Sequence, residues 1–150
     1  MGVQKSNDGK GTWNYLIYEA MGKDIDKIEE MKASLQITGD FNGHISNGKD
    51  GIKGNNPSKN RNGERLLSFC NVKQLKIMNA TRKTRGGKES NFCKGLWTWQ
   101  RGEHKSIIDY CLVNQRMVCK VRSVTIDSKR RIPVNSDHNW IITTIKANLP

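Results

Sequence analysis

The sequence predicts an α/β domain. Three observations carry that expectation: a run from Gly11 to Met31 with apolar residues at helical spacing, a second helical pattern followed at once by a strand-like segment, and several short apolar runs that begin or end beside Asp, Asn or His. At 150 residues, 35% of them apolar and 27% charged, the chain suits a single domain over residues 1–150 with a buried core, which excludes disorder throughout. No run approaches the roughly 18 apolar residues of a membrane span, and the residues after Met1 are polar where a signal peptide would be apolar. The expectation is an intracellular protein without a membrane partner.

Taken in order, Trp13, Leu16, Ile17, Met21, Ile25 and Ile28 are spaced for a helix or helix pair, with Gly22 as the expected interruption. Leu35 to Thr38 is a short strand that delivers Gly39 and Asp40 into a turn. Residues 46–62, crowded with Gly, Asn, Asp, Ser and Lys, form a long irregular loop. Asn62-Gly63-Glu64-Arg65 opens an amphipathic helix through Leu75, and a strand follows at Lys76 to Asn79. A second basic loop, Thr81 to Lys94, precedes Leu96-Trp97-Thr98-Trp99, where a period of two puts both tryptophans on one face, packed in the core or stacked on bases. Strands are expected over Ile107 to Val113, Val121 to Ile126 and Trp140 to Ile145.

The net charge is +12, from 26 basic and 14 acidic residues, which favours polyanionic partners through counterion release. Cys70, Cys93, Cys111 and Cys119 show no C-x-x-C pair, so neither a zinc site nor a disulfide framework is signalled and reduced, partly buried thiols are expected. Gly2 with Ser6 has the spacing of an acylation start, which chance explains.

Chemistry enters with Gly39-Asp40-Phe41-Asn42, Ser106-Ile107-Ile108-Asp109-Tyr110 and Ser136-Asp137-His138. Each adjoins a strand, so their polar side chains can meet at one rim of a sheet. Cleaving a phosphodiester needs a positioned water, stabilised charge on the phosphoryl oxygens and help for the leaving oxygen. Asp40 and Asn42 offer an acceptor and an amide donor at i and i+2, although an Asx turn produces the same pattern. Asp109 lies inside an apolar run and requires a partner there. His138 is the natural one, because a carboxylate that accepts one imidazole N–H leaves the other nitrogen for proton transfer. Asp137 beside it points elsewhere, toward a metal. His44 and His104 have no such context and are expected on the surface.

The ordered set resembles the carboxyl half of the endonuclease/exonuclease/phosphatase superfamily. Within it, Gly39 to Ile45, Asn62 to Leu67 and Thr98 to Gly102 make the chain most similar to non-LTR retrotransposon endonucleases and proteins like craniofacial development protein 2. The resemblance implies a two-sheet α/β sandwich flanked by helices and magnesium-dependent phosphoester hydrolysis, with DNA nicking as the leading activity. It also implies roles: Asp40 orients or activates water, Asn42 contacts the scissile phosphate, Asp137 serves the metal, and Asp109 pairs with His138. Either Asp40 or His138 takes the proton. Ile107 stands where Arg is often found.

The family's first half, with an early Asn, the principal metal-binding Glu, a Tyr and a His, finds no counterpart in these residues. The resemblance therefore implies weak magnesium binding, weak or absent activity for this chain alone, and an exposed sheet face that a partner or the other half would cover. Two further readings compete. One is a non-catalytic module that grips DNA or other nucleic acid through Arg61, Arg82, Lys83, Arg85, Arg101, Lys129, Arg130 and Arg131, a set that solvated loops would also explain. The other is a phosphatase of the same superfamily. A nuclear location would follow from a DNA substrate, and residues 128–131 are too short a basic run to claim import.

Overall fold

The computed structural model describes residues 9–46, 58–85 and 88–147, with the side chains of residues 9–14 and 82–91 outside that description. By its contacts the chain divides into Met1–Ala33 and Ser34–Pro150. In the first unit a single helix, α1, spans Gly9–Glu30. Gly22 does not interrupt it, contrary to expectation: one glycine costs a helix only about 1 kcal/mol against Ala, and ion pairs such as Glu19–Lys23 at 2.9 Å lie on its surface. A Schellman motif ends it. Lys32 adopts φ 54, its N–H donates to Glu29 O, and Ala33 N–H donates to Ile28 O.

The second unit begins with β1, Gln36–Asp40. Helix α2, Arg61–Val72, is capped by Asn60 and not by Asn62, and it stops before Leu75. Strand β2 covers only Lys76–Ile77, because Met78–Ala80 turn into a 3-10 segment where strand had been expected. The expected basic loop is instead a hairpin of β3, Arg82–Arg85, and β4, Lys88–Asn91, followed by β5, Cys93–Lys94. A second hairpin joins β6, Trp99–Arg101, to β7, His104–Ser106. Then come β8, Asp109–Val113, the short helix α3, Gln115–Val118, β9, Val121–Ile126, and β10, Ile141–Ile145.

Two three-stranded sheets organise this unit, one in the order β1-β8-β2 and the other β10-β9-β5. Strand β8 is central and antiparallel to both neighbours; β9 is antiparallel to β10 and parallel to β5. Cys111 and Val113, two apart on β8, share one core cluster with Met78, Cys93, Met117, Val121, Val124 and Ile126, so the sheets pack through facing side chains. Val121 lies three residues from Val124 and joins the same side because a bulge shifts the β9–β10 register between Thr144 and Ile145. Gly95, with φ +100, passes so close to β9 that an added Cβ would lie 2.3 Å from Ile126 O. On the edge strand β10, Ile142 and Ile145 are exposed, as is Trp140 just before it.

The four cysteines are free thiols, three buried and Cys119 exposed. No helix among the described residues is long and apolar enough to cross a membrane. Gly2, Ser6 and most of the expected loop, residues 47–57, lie outside the described residues.

Candidate active site

Strand register creates the site. In the antiparallel β1–β8 pair, Asp40, the last residue of β1, faces Asp109, the first of β8. Directly opposed residues share a face with Cβ atoms about 5 Å apart, and like charges there repel. His138 stands beside them: its Nδ1 lies 3.0 Å from Asp109 Oδ2 and 3.1 Å from Oδ1. Ligand-capable atoms of Asp40, Asp109 and His138 all fall within 4.8 Å of one another. An ionised carboxylate only accepts, so Nδ1 donates to Asp109, and whenever the ring is neutral Nε2 is the nitrogen with the lone pair. The Asp109 side chain is 15% exposed and that of His138 33%, so the pair sits at a wet rim.

The segment after β9 brings His138 to this rim by pairing with the Trp97–Gln100 stretch. Trp99 and His138 form an isolated antiparallel bridge, Gln100 N–H donates to Asp137 O at 2.9 Å, and Asn139 N–H donates to Thr98 O at 2.7 Å. Asp137 Oδ2 accepts the Trp99 indole N–H at 2.9 Å, and its Oδ1 lies 3.9 Å from His138 Nε2. The Trp99 hydrogen bond holds the Asp137 carboxyl below its ordinary value, helped by the His138 and Arg101 charges. Asp109 and Asp137 thus face opposite nitrogens of one imidazole.

Asn42 follows in the turn after β1, exposed and at φ 48. Its N–H donates to Asp40 Oδ1 at 2.8 Å, the geometry of an Asx turn. Its carbonyl accepts from Asn60 Nδ2 and Asn62 Nδ2. Asn60 also accepts from His44 N–H at 2.9 Å and Gly63 N–H at 2.8 Å, joining the turn to the start of α2. That approach demands glycine at 63, where an added Cβ would lie 2.0 Å from His44 O. Behind the turn, the buried Tyr110 hydroxyl contacts the Gly43 and Ile107 carbonyls at 2.7 and 2.8 Å.

A cleft of about 530 Å³ opens here, lined by Asp40, Asn42, His44, Trp99, His104, Lys105, Ser106, Ile108 and His138. His104 is exposed as expected and His44 half-buried, and both line this cleft because the turn after β1 and the β6–β7 hairpin border one hollow. The core alternative for the tryptophans is corrected. Thr98 is fully buried between them, while Trp97 and Trp99 are half-buried outside the core with their indole N–H groups bound to Gln100 and Asp137. Lys105 Nζ lies 4.3 Å from the centre of the Trp97 ring.

The basic residues are scattered by comparison. Arg61 is exposed at the start of α2 and Arg101 is exposed in β6. Arg82, Lys83 and Arg85 belong to β3, where only the backbone is described. Lys129, Arg130 and Arg131 are exposed in the turn after β9, where Arg130 Nε donates to Asn139 Oδ1 and Arg131 Nε to Asp127 Oδ1. Among the described residues, Lys105 is the lysine or arginine lining the cleft.

No protein-family model matches the chain, and no curated protein matches it by sequence. A solved structure does resemble it: the endonuclease domain of TRAS1, a telomere-specific non-LTR retrotransposon, aligns with a TM-score of 0.54 over 87% of this chain at 20% identity. The likeness establishes the fold, a mixed α/β arrangement of several sheets and a few helices shared with a retrotransposon endonuclease domain. The chain spans 52% of the length of that domain.

Proposed function

We propose that this chain carries the phosphodiester-cleaving site of an endonuclease-type hydrolase that acts on nucleic acid with a divalent cation. The observation that carries the reading is the convergence of Asp40, Asp109 and His138 within 4.8 Å at the meeting ends of β1 and β8. The endonuclease fold of the structural neighbour and the net charge of +12 support the same substrate class.

In this reading His138, with its tautomer fixed by Asp109, exchanges a proton at Nε2. Asp40, whose Oδ1 is engaged by Asn42 N–H, orients the attacking water with its other oxygen. The Asn42 side chain and Lys105, both lining the cleft, hold phosphate oxygens. A hard cation fits the donor set in the manner of magnesium, which takes one or two carboxylates and completes its shell with water and substrate phosphate. Asp40, which converges with Asp109 and His138, would hold it, with Asp137 beside His138 as the second carboxylate expected from the sequence, and it would supply positive charge where the phosphoryl oxygens gather negative charge. Two carboxylates make a weak site, so millimolar magnesium is the working condition.

The test is magnesium-dependent nicking of supercoiled plasmid by the wild-type chain, Asp40→Ala and His138→Ala. Loss of a positioned acid or base removes roughly 10²–10⁴-fold of rate. No nicking by the wild type, or nicking that survives both substitutions, would refute the reading.

A further inference from the structure

We infer that Thr98 and Trp99 are positioning residues: the Thr98 hydroxyl sets Asp109 and the Trp99 indole N–H sets Asp137, so one dipeptide at the start of β6 fixes both carboxylates that face His138. The inference rests on the hydrolytic reading above and names what holds that site in register.

Thr98 points inward and is fully buried, and its Oγ1 accepts from Ile108 N–H at 3.0 Å and Asp109 N–H at 3.1 Å. These donors sit where the chain enters β8, just before the ladder with β1 begins, and Phe41 N–H donates back to Ile108 O. The hydroxyl thus anchors the Asp109 backbone on one side while β1 anchors it on the other. Trp99 points outward and delivers its N–H to Asp137 Oδ2. The backbone of the same dipeptide pairs with residues 138 and 139 through the Trp99–His138 bridge and the bond from Asn139 N–H to Thr98 O. Asn139 closes the arrangement by donating Nδ2–H to Trp97 O at 3.0 Å.

Two elements distant in sequence therefore meet through this strap. Asp109 and His138 are 29 residues apart, yet the segments carrying both are bonded to Thr98. Slack in the strap would let Asp109 and Asp137 drift from the imidazole, and misplacement by about 1 Å costs up to roughly 10²-fold in rate.

The experiment uses the full chain and three variants. Trp99→Phe keeps the ring face and removes the N–H; Thr98→Val removes the hydroxyl at nearly constant volume; Thr98→Ser restores it and controls for folding. On a short duplex with magnesium, Trp99→Phe and Thr98→Val should lower kcat roughly 10–100-fold at little changed KM, while Thr98→Ser stays close to wild type. Wild-type kcat in both variants, or a loss carried by KM, overturns the inference in favour of a substrate-binding or purely structural role. A second measurement separates this inference from the hydrolytic reading, because it needs no activity. Nitrogen NMR of the His138 ring should show a single Nδ1–H tautomer in wild type and Thr98→Ser and a mixture in Thr98→Val, and the Trp99 indole signal should move in Asp137→Asn. Unchanged spectra would overturn the positioning role even if the chain nicks DNA.

Discussion

Replacing Asn60 tests how the turn bearing Asn42 is held. Its side chain accepts from Gly63 N–H at 2.8 Å as the cap of α2, accepts from His44 N–H at 2.9 Å, and donates Nδ2–H to Asn42 O at 3.2 Å. In Asn60→Ala the lost cap costs about 1 kcal/mol, and the lost bond to the half-buried His44 N–H costs about 1 kcal/mol more. Loss at the exposed Asn42 carbonyl is small, because Asn62 Nδ2 also reaches it at 3.3 Å. The sum is about 2 kcal/mol, which for a domain of this size lowers Tm by roughly 4–8 °C. Asn60→Asp keeps both acceptor roles and places a negative charge at a helix N-terminus, where it is favourable. It should therefore remain within about 0.5 kcal/mol of wild type. Urea unfolding of the three proteins decides the matter. A loss under about 0.5 kcal/mol in Asn60→Ala, or equal losses in the two variants, would refute the reasoning from the hydrogen bonds.

Asp109→Asn should fold but lower nicking by roughly 10²–10⁴-fold, because an amide no longer fixes the His138 tautomer; activity within threefold of wild type, an order-of-magnitude criterion, would count against the pair. Asp127 is buried and accepts Ile132 N–H at 2.7 Å, which with Arg131 holds its carboxyl below the ordinary value. A carboxylate whose pKa is lowered on folding stabilises the protein above its unfolded pKa of about 3.9, and that stabilisation is lost as pH falls through the folded value. Asp127→Asn should therefore flatten the dependence of the urea midpoint on pH between about 5 and 2, and a profile parallel to wild type would exclude this contribution. A thiol reagent at neutral pH should modify Cys119 quickly, while Cys70, pushed up to about 12 by burial, and Cys93, pushed up to about 11, react only on unfolding. Mass spectrometry of the labelled chain would show it.

The elements legible in sequence are those marked by a short apolar run, alternating with burial in β1 and buried almost throughout in β8. Val121 to Ile126 is both the expected strand and the observed β9, and β1, β8 and β10 fall within the expected runs or within two residues of them. The β3–β4 and β6–β7 ribbons escaped because their sequences, Trp99 apart, are polar throughout and offer no alternating apolar pattern. The Gly86-Gly87 pair between β3 and β4 was the available turn signal. At the site, the Asp109–His138 pair followed from the need of a carboxylate in an apolar run for a partner. Trp99 and His104 did not, since the β6–β7 hairpin reaches the cleft by a tertiary fold-over that leaves no local trace, whereas His44 lies two residues past Asn42 and was within reach of a local reading. Asp137 was expected to face only a metal, and its bond to an indole 38 residues away lies beyond any spacing argument.

The opposed carboxylates of β1 and β8 break a local pairing rule, while the core beside them obeys the rules of burial. Asp40 and Asp109 are opposed across β1 and β8, an arrangement that costs several tenths of a kcal/mol or more unless a cationic or proton-donating group intervenes. Two residues on, Asn42 takes a left-handed φ of 48, a conformation that Asn accepts more readily than most residues and that Lys32, Gln74 and Arg130 share elsewhere. By contrast the core between the sheets is apolar, and no buried side-chain N or O among the described residues lacks a partner. A fold selected only for stability would gain by replacing one carboxylate of the opposed pair with Thr or Val, both favourable in strands. Keeping both, with an imidazole against one of them, makes physical sense if their shared field is used on a cation or a proton. That is why Asp40→Thr should raise the urea midpoint while abolishing nicking, a trade that a purely structural role for the pair would not produce.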